Sequence, residues 1–197
     1  MSDTRLTVDR RTRTDMEELA YAASQLAGEV GIQVCVQFSP ELLVPEQRIR
    51  DLCHENKCGS YGAHYMCPPY VGPIEETEAR LSGFHLGLLL QYSQPLDVRN
   101  DLEGVRRTKA DFQGKVLLLE ELLRACGAED AWGLIGGSCG LCEPCKAATG
   151  EPCRYPEEAR PSLESLAIDV LALLARLGLD SEFHPDRITW TGCILIG

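Results

Sequence analysis

The stretch GGSCGLCEPCKAATGEPCRYP, residues 136–156, packs four cysteines into fifteen positions. Cys139, Cys142 and Cys145 recur at every third residue, and Cys153 follows with Arg154 after it. A second stretch, CHENKCGSYGAHYMCPPYVG from Cys53 to Gly72, carries Cys53, Cys58 and Cys67 with no helical or strand period and with Gly, Pro and Asn throughout. An aperiodic segment of this length inside a compact domain is a loop with a function or a disordered one. Seven of the ten cysteines lie in these two stretches. The fold must therefore project two long loops, and thiol chemistry governs what the chain can do.

The rest of the chain sets the conditions under which those thiols act. Its 197 residues, 44% of them apolar, suffice for one domain with a real core, spanning 1–197 with residues 1–14 as a flexible arm. The formal net charge of −11 would repel the phosphates of a nucleic acid, so no nucleic-acid partner is expected. The longest apolar runs, LGLLL and LALLA, fall far short of the ~18 residues that span a bilayer, so no membrane association is expected either. Arg10-Arg11 resembles an export signal, but Asp15, Glu17 and Glu18 stand where an uncharged segment is required, and a cytoplasmic location is expected. In that compartment clustered cysteines are metal ligands or redox groups more often than disulfides.

The pattern between the loops alternates helix and strand. Residues 14–30 read as a helix capped by Thr14, and IQVCVQF as a strand, while 39–52 is ambiguous. GPIEETEARLSG gives a short helix opened by proline, and FHLGLLLQY a buried strand. Residues 101–126 form a long helix with Val105, Phe112, Val116, Leu119 and Leu123 on one face. AWGLIGG is a strand running into the second cysteine loop. After that loop Pro161 and Ser162 open a helix striped by Leu163, Leu166, Val170, Leu173, Leu174 and Leu177, and SEFHP and ITWTGCILIG are closing strands. This order predicts an α/β fold, a single-domain sandwich around one central sheet with two cysteine-rich metal-binding loops.

The spacing of the second loop favours an iron–sulfur cluster. A C-x2-C-x2-C run wraps three thiolates around three corners of a cubane, and a more distant cysteine takes the fourth iron. Zinc more often takes two separated C-x2-C pairs. Gly136, Gly137, Ser138 and Gly140 would let the backbone approach and aim N–H groups at the sulfides. The first loop offers three cysteines, with Cys153, His54, His64 or Cys35 as a fourth ligand, or an iron left open to a substrate beside His54, His64 or Tyr65. Cys35, Cys126 and Cys193 read as small buried hydrophobes, and His85 and His184 as packed or surface histidines. Arg154 and Arg160 flank the motif, either to stabilise a negatively charged cluster or to form ordinary salt bridges.

The pairing of YMCPP with GGSCGLCEPC and PCRYPEEARPSLESLAIDV, over roughly residues 30–197, resembles a domain-of-unknown-function family of cysteine-rich predicted metal-binding proteins. Cys53, Cys58, Cys67, Cys139, Cys142, Cys145, Cys153, Arg154, Pro156, Arg160 and Pro161 occupy its pattern, although Cys53 and Cys58 stand farther apart than the pattern has them. The resemblance implies metal binding, with iron–sulfur the first expectation, in mainly anaerobic bacteria and archaea, and it assigns no reaction. The expectation is thus one or two [4Fe–4S] clusters on those seven cysteines. They would serve electron transfer to a redox partner protein, or redox or sulfur chemistry on a small-molecule substrate. A zinc-stabilised interaction module or a metallochaperone is the alternative, and a homodimer is left open.

Overall fold

A computed structural model describes residues 18–197; the expected arm over 1–14 and the Thr14 cap lie outside the described residues. Four strands form one antiparallel sheet in the order β1-β2-β4-β3: β1 Val34–Phe38, β2 Leu86–Pro95, β3 Trp132–Leu134 and β4 Arg187–Ile196. The long central pair β2 and β4 runs from Leu86↔Ile196 to Pro95↔Arg187. Strands β2 and β3 point the same way, and β4 lies between them.

Residues 18–29 form helix α1, followed by α2 Gln47–His54, α3 Ile74–Leu81, α4 Leu102–Ala125 and α5 Val170–Arg176. Because strand side chains alternate, the sheet has two apolar faces. Leu88, Leu90, Tyr92, Ile194 and Ile196 meet Ala20, Ala23 and Ala27 of α1 and the α4 stripe Phe112, Val116, Leu119 and Leu123. Leu89, Leu134, Cys193 and Leu195 point the other way, onto Leu163, Leu166, Ile168, Leu173 and Leu174. Asp101 caps α4 by accepting from Gly104 N–H. No described helix is long and apolar enough to cross a membrane.

The fold corrects four local readings. The ambiguous 39–52 segment contains most of α2, so Cys53 and His54 belong to that helix's last turn rather than to a loop. The helix expected from Pro161 is broken in two. A short 3-10 turn, Glu164–Leu166, ends at Ala167 with φ 68°, and α5 starts only at Val170 under an Asp169 cap. The break occurs because Ala167 C=O accepts from Glu46 N–H at 2.8 Å and Ile168 bridges to Pro45. Tertiary pairing with the lead-in to α2 thus overrides the helical preference of a leucine-rich stripe, whose side chains are still buried. SEFHP is not a strand: Asp180 gathers the Glu182 N–H, His184 and Arg187 into a turn and leaves Phe183 exposed. Cys126 caps the end of α4 exposed to solvent and Cys35 is only half-buried, whereas Cys193 is fully buried as expected.

Candidate metal centre and the cavity beside it

The second cysteine loop is scaffolded by the sheet. It leaves β3 at Ile135 and returns beside its own start, with Ile135 N–H bonded to Pro161 C=O at 3.0 Å and Ile135 bridged to Ser162. Gln113 of α4, buried, donates to Gly136 C=O and Ser138 C=O at 3.3 and 3.0 Å, and its Oε1 accepts from Gly140 N–H at 3.1 Å. That use of the Gly140 N–H corrects the expectation that it would be free for a sulfide. Gly136 instead admits Trp190 and Thr191, since an added Cβ would lie 3.0 Å from Thr191 C=O.

The returning arm is anchored by a buried ion pair. Glu120 of α4, 1% exposed, receives Arg160 through Nε at 2.9 Å and Nη2 at 2.7 Å, and also the Gly133 N–H at 2.7 Å. Arg124 pairs with the same carboxylate. Gly133 must be glycine here, because a Cβ would stand 2.5 Å from Glu120 Oε2. Of the two readings for Arg160, the structure therefore shows the salt bridge, while Arg154 is exposed.

Within this frame Cys139, Cys142, Cys145 and Cys153, all half-buried, line one small recess closed by Tyr65, Met66, Leu141, Tyr155 and Ala159. The first loop lies against it. Tyr65 hydroxyl donates to Glu151 C=O at 2.6 Å, and His64 sits at the Cys139 backbone. Cys67 is buried, Cys53 half-buried and Cys58 exposed, and all ten cysteines are unpaired. Burial first, then the nearby thiols Cys58, Cys53, Cys139 and Cys145, push the Cys67 thiol up to about 12. Cys139 is raised by burial and then by Cys142, Cys145 and Cys153, partly offset by the Leu141 N–H. Burial likewise raises Cys53, with Arg50 opposing and Cys58 adding to the shift. The two sets of cysteines, far apart in sequence, adjoin through Cys67. Cys35 packs on the α1–α4 face and is held to about 11 by burial alone.

Crowded, half-buried thiols of raised pKa are stable as thiolates only where positive charge compensates them. Two side chains that the sequence patterns do not single out, Arg50 and Lys109, bear on this, together with His64, which they do. Arg50 is buried on α2, one turn before Cys53, with Nε and Nη2 unpartnered among the described residues. Lys109 of α4 reaches over Gly137 and Gly140. His64 Nδ1 is buried and unpartnered, and burial, then Lys109, lowers the His64 pKa and keeps the ring neutral. Arg50 and Lys109 lie mid-helix and Gln113 reads as an ordinary surface amide, so nothing in their spacing marks them. The recess thus offers four soft donors with Lys109 over the run that carries them, a donor set that suits an anionic metal–thiolate group, and Arg50 stands beside Cys53 of the first loop.

Residues 37–196 match the family described as predicted metal-binding protein (DUF2284). The chain belongs to this family. No curated protein and no solved structure matches it. The DUF2284 match spans both cysteine loops and every strand but the start of β1.

A larger cavity of about 520 Å³ adjoins the recess, sharing Tyr65, Met66 and Ala159 with it. The sequence led us to expect a pocket beside Cys53, Cys58 and Cys67. The cavity instead opens beside the second loop, between α3, Trp132 and residues 156–161, and of the expected lining only Tyr65 takes part.

Proposed function

We propose that this DUF2284 protein is a cytoplasmic iron–sulfur protein whose Cys139, Cys142, Cys145 and Cys153 hold a [4Fe–4S] cluster. Cys53, Cys58 and Cys67 would hold a second. The observation that carries the reading is the single recess lined by all four second-loop thiols. Their spacing supports iron–sulfur over zinc. Zinc–thiolate bonds of ~2.3 Å in a tetrahedron hold the sulfurs about 3.8 Å apart. In Cys139-x2-Cys142-x2-Cys145 the third thiol sits in the same tight run, whereas zinc more often takes two separated C-x2-C pairs. The corners of a cubane hold its thiolates more widely.

A cubane bound there supplies single-electron transfer. The chain's own residues would tune and direct it. Lys109 offsets its negative charge, Gln113 holds the run from Gly136 to Gly140, and Tyr65 locks the two loops together, while Arg50 beside Cys53 would do for a first-loop cluster what Lys109 does for this one. The adjoining cavity favours redox chemistry on a small molecule over a pure carrier role, with a redox partner protein renewing the electrons. A reducing compartment suits ten free thiols. Anaerobically purified protein should be brown, with broad sulfide-to-iron absorbance that bleaches on reduction. A colourless protein retaining zinc would contradict the reading and leave a structural module.

A further inference from the structure

The cavity beside the recess has a polarity of its own. Its volume of about 520 Å³ lies in the range of small-molecule sites. Tyr65, Met66, Trp132 and Leu166 give it an apolar wall, and three guanidiniums, Arg80, Arg124 and Arg160, face it. Arg160 and Arg124 are committed to Glu120 and to backbone carbonyls. Arg80 is not. Its guanidinium carbon stands 3.4 Å over the Trp132 ring, which is backed in turn by Phe84 at 5.8 Å. Stacking uses the flat face of the guanidinium and leaves its in-plane N–H donors, which have no partner among the described residues.

One turn before Arg80 on α3, Thr77 is 4% exposed, lines the cavity, and has a buried Oγ1 with no partner among the described residues. A buried hydroxyl left unpaired is costly, and a ligand oxygen in the cavity would satisfy it. Arg80 is exposed as a whole, and partial burial, then the charge of Arg160, lowers its pKa from the ordinary value, with Glu120 opposing, so an added anion would stabilise its charge. The rim carries Glu76 and Glu157, which form no ion pair among the described residues and disfavour a doubly charged phosphate over a single charge.

We propose that this cavity binds a small organic carboxylate. The in-plane edge of Arg80 takes the carboxylate in a two-point contact, the Thr77 hydroxyl donates to it, and Trp132, Tyr65, Met66 and Leu166 hold the apolar body. The ligand would then lie against Tyr65 and Met66, which also wall the cysteine recess, so the site deepens the small-molecule reading above. The binding itself rests on the cavity and is independent of which metal the cysteines hold.

The test is calorimetric titration of the metal-replete protein with acetate, butyrate, benzoate and phenylacetate, each beside its amide, and with inorganic phosphate. At least one carboxylate should bind ten-fold or more tightly than both its amide and phosphate, and should change Trp132 fluorescence. Arg80→Ala should weaken that binding at least ten-fold with metal content unchanged, Arg80→Lys should recover part of it, and Thr77→Val should cost several-fold. The inference is overturned if no carboxylate outbinds its amide, if phosphate outbinds them all, or if Arg80→Ala binds like wild type. Iron and sulfide measured on the same samples separate the two proposals. A zinc protein that binds carboxylates keeps this one and loses the cluster.

Discussion

The two cysteine loops sit side by side and are built differently. The second leaves an edge strand, closes on itself through Ile135 and Ser162, and is held from α4 by Gln113 at its start and Glu120 at its end. Its four thiols have similar half-burial around one recess. The first begins in the last turn of α2, and its three thiols range from exposed Cys58 to buried Cys67. It is tied to the second loop through the Tyr65 hydroxyl to Glu151 C=O, to α2 through Arg50 to Gly72 C=O, and to the 3-10 turn through Cys53 Sγ to Glu164 C=O. The sheet therefore organises one loop, and that loop shares with α2 and the 3-10 turn the work of holding the other.

This dependence predicts a hierarchy of effects. Cys142→Ala should have the largest: loss of about four irons and matching sulfide out of about eight, and a melting temperature several degrees lower, by anaerobic metal analysis and calorimetry. Glu120→Ala strands Arg160 and Arg124 beside a buried void and should cost about 3–5 kcal/mol in urea unfolding. A loss under 1 kcal/mol would show that the ion pair does not anchor the returning arm.

Cys58→Ala should empty the first loop and leave the second-loop signal intact in reduced-state EPR. Loss of both signals would break the asymmetry between the loops. Arg50→Met separates two accounts. If the first loop holds an anionic cluster, removing the cation should lower that cluster's reduction potential. If it holds none, replacing a buried charge whose only hydrogen bond among the described residues is to Gly72 C=O by a hydrophobe should leave stability unchanged or raised. Cys35→Ala and Cys126→Ser should have the smallest effect, with metal per chain equal to wild type.

The strands and the long helix were legible because their periods are strong. Phe112, Val116, Leu119 and Leu123 lie on one face of α4, and β2 is buried along its apolar run. The split after Pro161 was not legible, because it depends on backbone pairing with Pro45 and Glu46, far away in sequence. The four second-loop cysteines announce themselves by spacing, and the fold gathers them around one recess. Arg80, Thr77 and Gln113 carry no local signal at all. Arg80 matters because it stacks on Trp132, and Gln113 because a loop 25 residues later rests on it. Such residues are defined by contacts across the fold, which a single sequence does not display.

The most direct measurement is iron, zinc and acid-labile sulfide per chain on anaerobically purified protein, wild type beside Cys142→Ala. The account predicts about eight irons with equal sulfide in the first and about four in the second. Zinc without sulfide in the wild type, or iron unchanged by the substitution, would contradict it.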